Sequence, residues 1–118
     1  MDYDNTFKKV TDIAVRYKNE LIDRGEGCRP ICEVSNMELV DEHLCNELTE
    51  EELEFFSMMW GSFEETDHVF IESIYGDIID ITADQFGEEY EDVHIPKDKE
   101  EFKKYHVKCE KSLKEFSK

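Results

Sequence analysis

His68-Val69-Phe70-Ile71-Glu72-Ser73-Ile74, then Tyr75-Gly76-Asp77, then Ile78-Ile79-Asp80-Ile81-Thr82, is the stretch that decides the fold. β-branched and aromatic residues flank a short turn containing glycine, which is the signature of an antiparallel hairpin. Immediately upstream, Met59-Trp60-Gly61-Ser62-Phe63 reads as another strand and Glu64-Glu65-Thr66-Asp67 as the turn that joins it to the hairpin. A turn centred on Gly76 sets Glu72 opposite Asp80 and His68 opposite Asp84. His68 then meets Asp80 only through a register shift of one or two residues or a diagonal contact.

Upstream of the meander the period changes to that of a helix. Phe7, Val10, Ile13, Ala14, Tyr17 and Leu21 recur at spacings of three and four, which predicts an amphipathic helix from Asp4 to Asp23, ended by Arg24-Gly25-Glu26-Gly27. After Pro30, a second and broader stripe of Val34, Met37, Leu39, Val40, Leu44, Cys45 and Leu48 predicts a central helix over Ile31 to Leu48. Thr49-Glu50-Glu51-Glu52 is a capping-box sequence and predicts a short third helix to about Ser57. Downstream of the hairpin, Ala83 to Asp92 reads as a loop and Val93-His94-Ile95 as a last short strand. Asp98 to Phe116 reads as a basic C-terminal helix carrying Phe102, Tyr105, Val107, Cys109, Leu113 and Phe116. Helices first and antiparallel strands second predict one α+β domain over residues 1–118, with N-terminal helices packed on the sheet.

The charge is lopsided, with 31 acidic residues against 14 basic ones and a formal net charge of -17. Between Arg29 and Lys97 there are twenty acidic residues and no Lys or Arg, whereas the segment from Pro96 onward carries eight Lys against five acids. Direct nucleic-acid binding and adhesion to anionic membranes are therefore disfavoured, and the basic end is expected to pack on the acidic body. No apolar run is long enough for a membrane span, and the N-terminal residues lack the pattern of a secretory signal. The expected location is cytoplasmic, with Cys28, Cys32, Cys45 and Cys109 reduced. Their spacings match no standard zinc finger, so no metal site is expected. His43 and His106 are expected in solvent, and Trp60 with Met58, Met59 and Phe63 in the core.

Cys32 stands where a Gly- and Pro-containing loop hands over to the central helix, a position that favours the thiolate and hence nucleophilic chemistry. Asp80, set among Ile78, Ile79 and Ile81, needs a partner for its charge, and His68 is the candidate. The stretch His68-Val69-Phe70-Ile71-Glu72 followed by Gly76-Asp77-Ile78-Ile79-Asp80-Ile81-Thr82-Ala83-Asp84-Gln85-Phe86 resembles small bacterial and phage proteins with a transglutaminase-like, papain-related fold. Those proteins carry a His-Ala-Trp strand and an Ile-Asp-Ile-Thr-Ala-Asp-Gln-Phe segment; Phe70 stands here in place of the Trp. Cys32-Glu33-Val34-Ser35 resembles their cysteine at the start of a helix, and the likeness spans roughly residues 27–95.

The resemblance implies a papain-like core and a Cys32, His68, Asp80 triad for thiol acyl transfer or amide hydrolysis, with no cofactor and a protein or peptide substrate. Cys28 is the alternative nucleophile, and the side-chain amide of Gln85 a candidate oxyanion donor beside the Cys32 backbone amide. The other expectation, from a different class, is a non-catalytic acidic binding protein or inhibitor that mimics a nucleic-acid backbone and occupies a basic partner protein. Glu50, Glu51, Glu52, Glu88, Glu89 and Asp92 are its candidate contact residues.

Overall fold

The first predicted helix forms as α1, Tyr3–Asp23, and buries Val10, Ile13, Ala14, Tyr17 and Leu21 against the rest of the chain. Asp2 caps its N-terminus, and the chain leaves it through Gly25 at a φ of 74°, a left-handed conformation that glycine adopts without a Cβ clash. The computed structural model describes residues 2–25 and 32–117, with Cys32 described by its backbone alone. Helical chain resumes as α2, Cys32–Glu38, continues through a π-helical stretch, Leu39–Leu44, and ends in α3, Cys45–Glu47. The wider π turn changes which side chains align: Leu39, Val40, Leu44 and Leu48 are buried, whereas Val34 is left 58% exposed. The Thr49/Glu52 capping box closes in both directions, but α4, Glu50–Leu53, is shorter than its expected end at Ser57. The chain is in a strand by Phe56 instead.

Four antiparallel strands follow: β1, Phe56–Phe63; β2, Thr66–Ser73; β3, Ile78–Ile79; and β4, Tyr105–Ser112. Their order across the sheet is β3-β2-β1-β4. One face carries Phe56, Met58, Val69 and Ile71 and packs on the helices together with Val10, Ile13, Leu39, Val40 and Leu44. The other carries Met59, Phe63, Phe70 and Tyr105 and is covered by Phe86, Tyr90 and Phe102 from the chain between β3 and β4. The fold is thus α+β, with a sheet enclosed between helices and an aromatic loop layer.

The expected helix over 98–116 is corrected to a strand. Helical turns remain only at its ends, Lys99–Phe102 as α5 under an Asp98 cap and a 3-10 turn over Leu113–Phe116, and between them Tyr105–Ser112 pairs along β1 from Phe63↔Tyr105 to Ser57↔Ser112. Apolar positions 105, 109, 113 and 116 satisfy a helical spacing, while 105, 107 and 109 alternate as a strand does. Pairing decides between them, because β1 is mostly buried, and a strand covered on both faces needs backbone partners on both edges. β4 is itself mostly exposed and carries Lys108, Glu110 and Lys111, charges that suit a sheet edge. The basic end of the chain meets the acidic body as expected, through Lys108 of β4 on Asp67 at 3.1 Å and Lys114, just past it, on Glu54 at 2.6 Å.

Between Trp60 and Gly61 the β1–β4 register slips by one residue, a bulge that bends β4 onto the sheet. A Cβ at Gly61 would collide with the His106 backbone carbonyl and lie 3.0 Å from Val107 Cα. Gly61→Ala is therefore expected to lower stability by about 1–3 kcal/mol, since backbone rather than a mobile side chain must yield. The check is a fall in the urea midpoint at unchanged m-value; an unaltered midpoint would show that the β4 approach is not constrained.

Candidate active site

The hairpin after β2 is centred on Tyr75, one residue before Gly76. Ser73 pairs with Asp77 through its backbone N–H, at 2.8 Å to the Asp77 carbonyl, and its Oγ accepts the N–H groups of Tyr75 and Asp77. The loop is thus Ile74-Tyr75-Gly76, with Gly76 at a φ of 89°. Glu72 consequently faces Ile78 rather than Asp80, and Ile71 faces Ile79. This two-residue shift is what brings Asp80 within reach of His68.

His68 Nε2 and Asp80 Oδ2 lie 2.7 Å apart, and both side chains are fully buried. The Tyr105 hydroxyl donates to the same Oδ2 at 2.8 Å. Asp80 Oδ1 accepts from the Thr82 backbone N–H at 3.0 Å, with the Thr82 hydroxyl at 3.4 Å. The Asp80 backbone is held as well, by a two-way bridge to His94 at 2.9 and 2.8 Å. A buried carboxylate is stable only with such donors, and those to a charged acceptor contribute about 1.5–3 kcal/mol each. Burial and the Asp80 charge push the Tyr105 hydroxyl well above the ordinary phenol range, so it stays protonated and donates.

His68 belongs to the aromatic face of the sheet. Its ring packs edge-on to Phe86 at 5.0 Å and Phe63 at 6.0 Å, and stacks with Phe70 at 6.0 Å. The start of α2 lies against the opposite face, close by in register. Glu33 accepts from the Trp60 indole at 2.5 Å, and Trp60 pairs with Val69, the neighbour of His68. Asn36 is buried and donates to the Val69 carbonyl at 3.2 Å, which sets α2 along β2. Among the described residues, no strand pairs with the outer side of β2 from its start to Phe70.

The candidate nucleophile Cys28 and the side chain of Cys32 lie outside the described residues; Cys32 is placed as the first residue of α2, and Ser35 is buried one turn on. Gln85 is the third residue of a 3-10 turn, Ala83–Phe86, and its side-chain amide donates to the Thr82 carbonyl at 3.0 Å, so that part of its donor capacity serves the turn. His106 is exposed as expected, whereas His43 is half-buried against the Tyr17 ring at 5.0 Å. Burial and the nearby Asp41 raise the Cys45 thiol above its ordinary value, making it a poor nucleophile. Among the described residues there is no cluster of His, Cys, Asp and Glu suited to a metal ion, and no helix long and apolar enough to cross a membrane.

Two contributors escape the sequence analysis. Tyr105 lies on the strand read as a helix. Lys18 is fully buried on α1, with Nζ 2.5 Å from the Ile81 carbonyl and 3.1 Å from Asp84 Oδ1, so it braces the turn that follows Asp80. Its signal was present, because positions 14, 17, 18 and 21 share one helix face and Lys18 is the cation in that apolar stripe. Comparison of the chain with protein-family models, with curated proteins and with solved structures finds no match.

Lys18→Met keeps the length of the stem but removes both bonds to the turn. It is expected to cost about 1–3 kcal/mol, the penalty for a buried carbonyl and a carboxylate left without their donor. Thermal unfolding of the variant at neutral pH checks it, and an unchanged midpoint would mean that the turn stands without Lys18.

Proposed function

We propose that this chain is a thiol-dependent acyl transferase or amide hydrolase that uses Cys32, His68 and Asp80. The observation that carries the proposal is the buried His68–Asp80 pair, in which a carboxylate held by three further donor contacts aims one oxygen at an imidazole nitrogen. In this reading Cys32, the first residue of α2, is the nucleophile; α2 runs along the face of β2 opposite the His68 ring. Proteins of the transglutaminase-like, papain-related kind, which the sequence resembles, use the same three residue types in the same chain order.

With Nε2 engaged by Asp80, the proton-transfer nitrogen is Nδ1. His68 takes the Cys32 proton as the sulfur attacks an amide carbon. Collapse of the tetrahedral intermediate breaks the carbon–nitrogen bond, and the proton passes from His68 to the departing amine. Water, or an amine in a transferase, then attacks the thioester; His68 accepts the proton of the incoming group and returns it to the sulfur. Asp80 fixes the ring tautomer and stabilises the imidazolium.

The alternative of a nucleic-acid mimic has less support from the arrangement of charge. Glu50 and Glu51 lie on α4 at the start of β1, and Glu88, Glu89 and Asp92 flank Tyr90, which packs on Phe63 at its end. An eight-residue strand separates them by roughly 23 Å at about 3.3 Å per residue, so these acids form two exposed groups at opposite ends of β1.

Iodoacetamide at mild pH is expected to alkylate Cys32 about tenfold faster than Cys45 or Cys109, with His68→Ala slowing that reaction. Peptide mass spectrometry over time checks the order. Equal labelling of all four thiols overturns the proposal, and labelling of Cys28 first moves the nucleophile there. Asp80→Asn is expected to keep a stable, folded protein while slowing Cys32 alkylation severalfold, because the amide selects the other tautomer. A destabilised protein with an unchanged thiol would make Asp80 a structural residue only.

A further inference from the structure

Asp80 Oδ2 receives two donors, the His68 imidazole and the Tyr105 hydroxyl, at 2.7 and 2.8 Å. They come from different strands: His68 lies on β2, Tyr105 on β4, and β1 runs between them. The groups around this oxygen are otherwise apolar or already engaged. Phe63 of β1, Phe70 of β2 and Phe86 of the 3-10 turn supply rings, and Thr82 binds the other carboxylate oxygen. In the next layer Lys18 of α1 holds the Ile81 carbonyl and Asp84, and Lys104 donates to the Tyr90 hydroxyl at 2.8 Å. His94 pairs with Glu101 at 2.8 Å. Among the described residues, Tyr105 is the one side chain that shares the oxygen facing His68.

We infer that Tyr105 is a positioning residue that sets how strongly Asp80 holds the His68 proton. The inference rests on the thiol chemistry proposed for that pair only in its consequence for Cys32, not in its effect on His68. Each donor to a carboxylate oxygen draws off part of the charge that the other donor feels. The Tyr105 hydroxyl therefore weakens the pull of Oδ2 on the His68 N–H while preserving its direction. A phenol raised by burial keeps this role throughout the range in which histidine titrates. Without the hydroxyl the full charge of Oδ2 falls on the imidazole, and His68 retains its proton to higher pH. For the proposed reaction that change extends the imidazolium–thiolate state to higher pH and makes the ring a weaker acid toward a leaving amine.

The test uses the whole chain with isotope-labelled histidine, observed by NMR across the pH range. In Tyr105→Phe the His68 Nε2–H proton resonance is expected to move downfield. The pH at which the ring resonances change is expected to rise by on the order of one unit, the scale of one hydrogen bond to a charged group. Site-specific 3-fluorotyrosine in place of Tyr105 keeps the shape, donates more strongly, and is expected to shift both readouts the opposite way; it serves equally if Tyr105→Phe fails to fold. A His68 ring that matches the parent protein in both readouts, in every folded variant, overturns the inference. Iodoacetamide alkylation of Cys32 in the same samples separates it from the proposed function. If the His68 signals shift and the Cys32 pH profile follows, both stand. If they shift while Cys32 is indifferent, Tyr105 tunes His68 and the thiol chemistry is what fails.

Discussion

A carboxylate without solvent is the constraint around which the rest of this structure is arranged. Asp80 is fully buried, and its acceptor positions are met by His68 from β2, Tyr105 from β4 and Thr82 from its own turn. Removing any of those segments would take a donor from a charge held in an apolar layer, a loss of about 1.5–3 kcal/mol for each donor. The hairpin register, the β4 pairing and the turn braced by Lys18 are therefore mutually dependent.

The two faces of the sheet divide the work. The helical face supplies most of the apolar burial, with α1 and the α2–α3 helix covering Phe56, Met58, Val69 and Ile71. The other face is smaller, aromatic and polar at its centre, which is where His68 and Asp80 sit among Phe63, Phe70, Phe86 and Tyr105. A dry aromatic surround strengthens every electrostatic contact inside it, so a positioned imidazole–carboxylate pair there is well defended against water. The start of α2 lies on the helical face, where Asn36 holds it to the Val69 carbonyl of β2.

The charge asymmetry has a structural outlet. β4 returns the Lys-rich end of the chain along β1, placing Lys108 on Asp67 and Lys114 on Glu54. Exposed pairs of this kind contribute little individually, about 0–1 kcal/mol, but they offset repulsion within a chain of net charge -17 and keep the sheet edge charged.

The α1 stripe, the Thr49/Glu52 capping box, the β2–β3 hairpin and the α+β order were legible in the residues, because each rests on interactions only a few positions apart. The pairing of His68 with Asp80 was legible as a need, since an aspartate among isoleucines requires a donor. Its geometry was not, because the register depended on Ser73 closing the turn one position earlier, around Tyr75. Lys18 stood in the apolar stripe of α1, yet its partners, Ile81 and Asp84, are more than sixty residues away. The end of the chain was open to two periods. Tyr105, Val107 and Cys109 fit a strand as well as a helix, and the unpaired edge of a buried β1, a property of the assembled sheet, decided for the strand and so delivered Tyr105 to Asp80. Local sequence determined which segments have a structure of their own, and tertiary pairing decided the segment whose local preferences were balanced, since backbone groups in a dry interior must find partners wherever the chain can supply them.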